Sequence, residues 1–332
     1  MKTTSCFEQM RPKEAYAAIL EQRERDGNAF YARHHTAFVD VDCPACSQAG
    51  VYAFTKYHHE HRYCPECHTL YCSPRPSEEL LNNYYNEYDA PQRWTQLLLQ
   101  ADDERKALQY RPRVEGIIAQ MRRQGASRGG VAVDVGAGAG TFALCVKETG
   151  FFQDVVCIDM SKECVEICRR KGLRSQLGRI VNLDAESADL LTMNDLIEHV
   201  FDPASMLRDC HRVLKPGGFV AIATPNGRGF DFLLLKERTR NITPPEHLTY
   251  FNPQSLERLL LACGFKTVAM HTPGKLDVAI ILKEIEAGFS LSERNEFLHF
   301  LFQQEPRTLE NFQSFLSDNR LSSHMLCMAR RT

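Results

Sequence analysis

The chain has 332 residues, of which 43% are hydrophobic and 25% are charged, and its formal net charge is −2 at pH 7. This balance is that of an ordinary globular protein and excludes a chain held to nucleic acid by an overall basic charge. No apolar run approaches the roughly 18 residues that cross a bilayer, and no apolar stretch of the signal-peptide kind follows the N-terminal residues. We therefore expect a cytoplasmic protein without membrane association.

The sequence predicts a small N-terminal part and one large domain. A charged helix is expected over residues 8–33, ending near Gly27 because glycine favours helix C-termini. A second helical stretch is expected over residues 97–124. The predicted segments are an N-terminal helical segment (1–40), a cysteine-rich module (41–75), a helical linker or cap (76–128) and a large domain (129–332) with an insertion at about 273–318.

Four of the thirteen cysteines form two Cys-Pro-x-Cys pairs, Cys43/Cys46 and Cys64/Cys67. Their C-x2-C-x17-C-x2-C spacing is typical of a zinc ribbon, in which four thiolates surround one ion. Such a closed site is structural, and so small a module needs it because its hydrophobic core is small. We therefore predict a structural Zn²⁺ on these four cysteines. Five nearby side chains are candidates to replace a ligand: His58, His59, His61, His68 and Cys72. The complete set of four cysteines makes this unnecessary, and the histidines are interpreted as an exposed hairpin.

From residue 129 onward, short apolar runs alternate with helical patterns. Residues 131–135 form an apolar run that is typical of a buried parallel strand. Alternation of this kind predicts a mostly parallel sheet with right-handed crossovers. A last strand is expected over residues 322–329, after a helical stretch over 276–316.

A glycine-rich turn follows the first of these strands, in the segment Asp134-Val-Gly136-Ala137-Gly138-Ala-Gly140. Glycines let the chain turn tightly and let a ligand approach the backbone at the N-terminus of the next helix. The spacing departs from the dinucleotide pattern, which would place its third glycine at the position of Thr141. Asp159 follows the next strand, where a carboxylate can accept both hydroxyls of a ribose.

Together with further segments in the same order, this turn resembles the class I S-adenosylmethionine-dependent methyltransferases over roughly residues 130–270. The resemblance implies an α/β, Rossmann-like fold with a seven-stranded sheet whose last strand is antiparallel, and S-adenosyl-L-methionine as the cofactor. The other matching segments are Asp189-Leu-Leu-Thr-Met-Asn-Asp-Leu-Ile-Glu-His199-Val, Asp202-Pro203, Arg212-Val-Leu-Lys-Pro-Gly-Gly218, Thr224-Pro-Asn226, Pro245-Glu-His-Leu248, Tyr250-Phe251 and Ser255-Leu256.

The resemblance also implies which residues contact the cofactor. Residues 178–180 stand where relatives often have an acidic residue near the adenine, so the adenine contacts are not assigned. The predicted cofactor-binding residues are Asp134, Gly136, Ala137, Gly138, Gly140, Asp159, Met160 and Asn194.

Methyl transfer needs two oriented ligands, and an oxygen or nitrogen acceptor also needs a base. His199, which follows the fourth strand, and His247 are the candidates, because histidine has a suitable unperturbed pKa. The alternative is that each histidine fixes a loop by hydrogen bonding. Tyr250 and Arg228 are further candidates to line the acceptor pocket.

The leading hypothesis is methyl transfer to a small molecule: a sugar, a nucleotide-linked sugar or a secondary metabolite. Residues 320–325 and 274–277 resemble bacterial methyltransferases of polysaccharide and secondary-metabolite pathways. The alternatives are an RNA methyltransferase whose zinc ribbon binds nucleic acid, and a non-catalytic scaffold. Nucleic acid is not expected, because the module carries only three basic residues, Lys56, Arg62 and Arg75, and phosphate binding favours more. The acceptor, the methylated atom and the oligomeric state are not predicted.

Overall fold

The computed structural model describes residues 13–332 except 292 and 294. The start of the predicted N-terminal segment, before residue 13, therefore lies outside the described residues. Residues 292 and 294 of the predicted insertion also lie outside the described residues. None of the helices in the described part of the chain combines the length and the apolar composition that a membrane crossing requires.

The described chain begins with a long helix, α1 (Lys13–His34), followed by three strands, β1 (Val51–Lys56), β2 (His59–Tyr63) and β3 (Leu70–Cys72). Contrary to the prediction, Gly27 does not end α1. A Cβ atom at Gly27 would lie 2.9 Å from the carbonyl oxygen of Pro244. Glycine therefore serves close packing at this position rather than helix termination.

Four helices form the cap that follows: α2 (Glu78–Glu87), α3 (Asp89–Gln100), α4 (Asp102–Arg105) and α5 (Arg111–Arg123), with a π-helical stretch over Lys106–Tyr110. Ser77 begins α2 as its N-cap, since its hydroxyl accepts a hydrogen bond from Leu80 N at 3.3 Å. The continuous helix predicted over 97–124 is broken at Ala101, where ψ is 25°. The next residue, Asp102, accepts a hydrogen bond from Lys171 Nζ at 2.6 Å, which ties the cap to the large domain.

The remaining elements alternate along the chain. The strands are β4 (Gly129–Val135), β5 (Phe152–Asp159), β6 (Arg174–Leu177), β7 (Ala188–Asn194), β8 (Leu214–Pro225), β9 (Thr249–Tyr250), β10 (Phe265–His271) and β11 (His324–Arg331). The helices are α6 (Thr141–Glu148), α7 (Lys162–Arg170), α8 (Pro203–Val213), α9 (Phe230–Leu235), α10 (Pro253–Ala262), α11 (Asp277–Glu286), α12 (Glu296–Phe302) and α13 (Pro306–Asp318). The last three helices occupy the predicted insertion.

Seven strands form the central sheet in the order β10-β11-β8-β7-β4-β5-β6. The pairs from β8 through β7, β4 and β5 to β6 are parallel, whereas β11 is antiparallel to both of its neighbours. The predicted α/β, Rossmann-like fold with an antiparallel last strand is therefore confirmed. Both faces of the sheet are covered: Val133 packs in one core cluster and Ala132 in the other. This explains why the strands read as continuous apolar runs.

A second sheet joins the cysteine-rich module to the large domain, in the order β1-β2-β3-β9. Strand β9 pairs with β3 through Leu70 opposite Tyr250, so the module helps to hold the chain just after His247. The prediction of an exposed histidine hairpin is wrong for two of its members, because His59 and His61 are 1% and 0% exposed.

Candidate functional site

A cavity of about 1590 Å³ opens at the carboxyl edge of the central sheet, between the glycine-rich turn, the cap helices and the loop before β9. Pockets for a single small ligand measure roughly 300–1,000 Å³. This cavity therefore has room for two ligands side by side. It lies where open parallel sheets bind their ligands.

The glycine-rich turn runs from β4 into α6 along one wall of this cavity. Gly136, Gly138 and Gly140 have φ values of +67°, +52° and +72°, which L-residues rarely adopt. A Cβ atom at Gly136 would lie 2.8 Å from Leu196 Cδ1, and one at Gly140 would lie 2.7 Å from Cys168 Sγ, whereas one at Gly138 would meet nothing within 4 Å. The backbone of Gly138 therefore faces open space that a ligand can fill. Gly140 does not line the cavity and serves close packing instead.

Asp159 ends β5 opposite this turn. One carboxylate oxygen accepts a hydrogen bond from Gly138 N at 2.8 Å, and the other accepts one from Ser161 N at 2.8 Å. Burial raises the pKa of Asp159, while these backbone donors act in the opposite direction. Each oxygen keeps a lone pair, so the carboxylate can still accept the two hydroxyls of a diol. Met160, the next residue, is half exposed in the same cavity.

Asp134 lies beneath the turn at the end of β4 and is 4% exposed. Its carboxylate accepts hydrogen bonds from Thr192 Oγ1 at 2.6 Å and Asn194 Nδ2 at 3.4 Å. Burial raises the pKa of Asp134 to about 7. Asp134 and Asn194 thus join the ends of β4 and β7 at the cavity wall.

Two buried arginines of the cap, which the sequence analysis missed, also line the cavity. Arg113 donates to Asn194 Oδ1 at 2.7 Å and Arg105 donates to Tyr110 Oη at 2.7 Å. Within the described residues neither guanidinium has a carboxylate at ion-pair distance. Their direct hydrogen-bond partners are neutral, and Asp195 is a negative charge that acts on both, so two buried cations face the cavity and suit an anionic ligand group. The sequence signal that was overlooked is their eight-residue spacing, which is compatible with one helical face.

The two candidate bases lie together in the wall of the same cavity. His199 ends a short 3₁₀ turn after β7, His247 precedes β9, and their ring centroids are 4.6 Å apart. Nδ1 of His199 lies 3.0 Å from the carbonyl oxygen of Glu246, and Nδ1 of His247 lies 2.8 Å from that of Asn241. Because a carbonyl oxygen only accepts, Nδ1 of His247 carries the hydrogen, and the Glu246 carbonyl favours the same tautomer in His199. Nδ1 of His199 also lies 2.7 Å from Tyr85 Oη, which can accept that hydrogen as well. In this tautomer each Nε2 keeps its lone pair. Burial lowers the pKa of both rings, which favours the neutral, basic form.

Glu198 brings a third titratable group to this pair. Its side chain is 0% exposed, and Oε2 accepts a hydrogen bond from Thr224 Oγ1 at 2.8 Å. Oε1 has no hydrogen-bond partner among the described residues, and one ligating atom each of Glu198, His199 and His247 lies within 4.8 Å of the others. Burial raises the pKa of Glu198 well above its ordinary value. Burial therefore favours the neutral form of the Glu198 carboxyl group and of both imidazoles beside it, an arrangement suited to moving a proton.

The other two candidates for the acceptor pocket do not line the cavity. Tyr250 is fully buried and donates from its hydroxyl to the carbonyl oxygen of His247 at 3.4 Å. Its contribution is to support the loop of His247 from behind. Arg228 also lies outside the cavity lining.

The two cysteine pairs converge away from the cavity. Cys43 and Cys67 have their sulfur atoms 3.4 Å apart, Cys46 and Cys64 have theirs 3.5 Å apart, and all four lie within 4.8 Å of one another. A tetrahedral ion with Zn–S bonds of about 2.3 Å would hold sulfur atoms about 3.8 Å apart. The donor set and its spacing therefore fit a closed four-thiolate site. None of the four cysteines lines the cavity, so such a site would be structural.

The two turns that carry these cysteines share one backbone geometry. The residue after the second cysteine of each pair, Ser47 or His68, has a φ of +59° or +61°. Its N–H donates to the carbonyl oxygen of the first cysteine at 2.8 Å in both turns. Each pair is thus formed by the same tight knuckle, as the repeated Cys-Pro-x-Cys motif indicates.

Comparison with known proteins gives one family match, to a model described as a methyltransferase domain, over residues 89–270. The curated proteins that the chain resembles include ubiquinone biosynthesis O-methyltransferases. That of Aliivibrio fischeri is 29% identical over 39% of this chain and 60% of its own length. That of Xanthomonas oryzae pv. oryzae is 35% identical over 34% of this chain and 49% of its own length. The chain thus spans between about half and three fifths of these relatives.

Among solved structures, an S-adenosylmethionine-dependent methyltransferase from Mesorhizobium loti is similar at 18% identity and a TM-score of 0.44. The match covers 64% of this chain and 96% of that protein.

Proposed function

Because the chain belongs to the family of methyltransferase domains, we propose that it transfers the methyl group of S-adenosyl-L-methionine to a small-molecule acceptor. One observation carries this proposal. The glycine-rich turn with Asp159 lines the same cavity as the histidine pair, whose Nε2 atoms have no hydrogen-bond partner among the described residues. A bound cofactor supplies an electrophilic methyl group, so the protein has to orient two ligands and accept a proton.

The residues of the turn fit the cofactor's parts. The backbone at Gly136, Ala137 and Gly138 would lie against it, and Asp159 would accept the ribose hydroxyls. Arg113 and Arg105, which line the cavity beside Asn194 and Asp134, would hold its carboxylate. Asp134 and Asn194 would keep this wall in place, and Met160 would flank the nucleoside.

Replacing Asp159 with alanine is expected to weaken the binding of S-adenosylhomocysteine by roughly tenfold or more, since a hydrogen bond to a charged group contributes about 1.5–3 kcal/mol. Isothermal titration calorimetry measures the dissociation constant. Asp154→Ala is the matched control: Asp154 lies on the same strand, β5, but pairs with Arg174 on the surface. Wild-type affinity in Asp159→Ala would contradict the assignment, and so would a wild-type protein that binds NAD tightly and S-adenosylhomocysteine not at all.

We place the acceptor at the histidine end of the cavity. Its wall there includes Tyr85, Trp94 and Asn86, which suit a polar molecule that also has an apolar or ring-shaped face. Either His199 or His247 would act as the base through Nε2. A sugar, a nucleotide-linked sugar or a secondary metabolite fits this lining, and the curated relatives are named for methyl transfer to oxygen.

The proposal includes one structural Zn²⁺ on Cys43, Cys46, Cys64 and Cys67, and a cytoplasmic location, since thiolate ligands need a reducing compartment. The division into segments 1–40, 41–75, 76–128 and 129–332 remains a prediction. We do not retain RNA as an acceptor, because the basic side chains of the module are engaged within the protein. Lys56 donates to the carbonyl oxygen of Thr239 at 2.7 Å, Arg62 donates to that of Ser73 at 3.3 Å, and Arg75 is 3% exposed.

The test is transfer of a labelled methyl group from S-adenosylmethionine to protein, RNA and small-molecule fractions of a cell extract. We expect label in the small-molecule fraction. Label in RNA would restore the alternative acceptor. No transfer to any fraction by a protein that binds S-adenosylhomocysteine would favour the scaffold hypothesis.

A further inference from the structure

A buried ion pair connects helix α1 to the loop that carries His247. Arg23 Nε and Nη2 donate to the two carboxylate oxygens of Glu246 at 3.0 and 2.9 Å, although the residues are 223 positions apart. Arg23 is 6% exposed and Glu246 is 3% exposed. A bidentate pair of this kind fixes direction as well as distance.

The surroundings of the pair make it rigid. The Arg23 guanidinium lies 4.6 Å from the ring centroid of Trp94 on α3. Tyr84 on α2 donates from its hydroxyl to Glu246 Oε1 at 3.5 Å. One turn along α1, Gly27 brings the helix against the carbonyl oxygen of Pro244, two residues before Glu246. Helix α1 therefore contacts the loop both through side chains and through the backbone.

The backbone of the same loop holds both candidate bases. The carbonyl oxygen of Glu246 accepts the hydrogen of His199 Nδ1 at 3.0 Å. His247 is the next residue, and its ring packs edge-to-face on that of His199. A shift of Glu246 would therefore move His247 and would leave His199 Nδ1 beside Tyr85 Oη at 2.7 Å, a hydroxyl that can donate to this atom as well as accept from it.

We propose that Arg23 is a positioning residue of the methyl-transfer site, acting through Glu246 to set the place and the tautomer of His199 and His247. The inference rests on the proposed function for its catalytic meaning, but the positioning can be measured without an acceptor. Helix α1 is then part of the site and not merely a support for the cysteine-rich module.

The ion pair also sets the electrostatic environment of His199. The Glu246 carboxylate raises the pKa of this ring and the Arg23 guanidinium lowers it, while burial lowers it further. Removing the Glu246 charge leaves an unpaired guanidinium beside the ring, which lowers the pKa more. Removing both charges cancels that effect. The titratable and charged groups that face His199 are Arg23 on α1, Tyr85 on α2, Glu246 and His247 on the loop, and Asp195 and Glu198 on its own segment.

The experiment is a titration of ¹⁵N-histidine-labelled protein by NMR, with the two resonances assigned from His199→Gln and His247→Gln variants. In the wild type we expect both rings to be protonated on Nδ1. In Glu246→Gln the pKa of His199 should fall, and in the double variant Arg23→Gln, Glu246→Gln it should rise back towards the wild-type value. Arg23→Gln alone should give His199 a mixture of tautomers. S-adenosylhomocysteine binding verifies that each variant is folded.

The matched control is Asp26→Asn, on the same helix. Asp26 Oδ2 accepts a hydrogen bond from Ala90 N at 2.8 Å and so fastens α1 to α3, but it does not contact Glu246. This variant should leave both histidine titrations unchanged. If Arg23→Gln and Glu246→Gln also leave them unchanged, or if Asp26→Asn alters them equally, Arg23 has only a structural role and the proposal is overturned.

Once the acceptor is identified, kcat can be measured. Arg23→Gln should lower it by roughly 10²-fold relative to the wild type, which is the effect of misplacing a catalytic group by about 1 Å. Arg23→Lys should not rescue it, because an ammonium group cannot form the bidentate pair. Full activity in Arg23→Gln would contradict the proposal, whereas inactivity of the wild type with normal histidine titrations would contradict only the proposed function.

Discussion

Alanine at His199 or at His247 is expected to lower turnover by roughly 10²–10⁴-fold if that residue is the base, while affinity for S-adenosylhomocysteine stays the same. The physical reason is that a carbonyl oxygen beside each Nδ1 favours the hydrogen on that atom, so that Nε2 is the basic atom of the ring. Steady-state kinetics with the identified acceptor, together with calorimetry of the cofactor product, separates the two effects. His211→Ala is the control, since His211 packs on Phe265 outside the cavity.

The pH dependence of the same reaction follows from the burial of the two rings. Burial lowers the pKa of both, so the neutral form that can accept a proton persists below the ordinary histidine value of about 6.5. Turnover should therefore hold as the pH falls to that value and decline only in more acidic solution. Intact turnover in both alanine variants would show that neither histidine is the base and that the enzyme relies on orientation or on another group.

Replacing Cys64 with serine is expected to abolish zinc binding and to destabilise the protein strongly. Apparent free energies of binding for a structural zinc are about 10–16 kcal/mol in small zinc modules, where binding and folding are one process. The loss should reach the cavity, because β3 of the module pairs with β9, just after His247. Turnover should thus fall although no zinc ligand lines the cavity.

Metal analysis of the purified protein should give one zinc per chain, and thermal unfolding with and without a chelator measures the destabilisation. Cys263→Ser is the control, since the Cys263 thiol lies outside the four-cysteine site and donates a hydrogen bond to the carbonyl oxygen of Ala204. This variant should keep its metal and lose little stability. A well-folded preparation without metal, combined with unchanged stability of Cys64→Ser, would refute the zinc site.

The sequence predicted the features that depend on residues lying close together in the chain. The apolar run of β4, the glycines after it and Asp159 at the end of β5 lie within 31 residues. Their geometry depends on backbone sterics and on strand order, which the family resemblance implies. The cysteine pairs are local in the same sense, because each knuckle is formed by five consecutive residues.

The features that were missed depend on contacts between distant segments. Nothing near Arg23 in the sequence indicates that its partner is Glu246. The amino-acid composition of β3 and β9 likewise does not indicate that these two strands pair. Gly27 was misinterpreted for the same reason: the close neighbour that requires glycine, Pro244, comes from another part of the chain. His59 and His61 are buried by tertiary packing that their polar character does not predict.

The central claim is that the glycine-rich turn and the histidine pair form one methyl-transfer site. A crystal structure of the complex with S-adenosylhomocysteine tests it most directly. We expect the ribose at Asp159, the carboxylate near Arg113 and the sulfur atom facing His199 and His247 across the remaining part of the cavity. A ligand bound elsewhere, or bound at the turn with its sulfur atom facing away from both histidines, would contradict the claim.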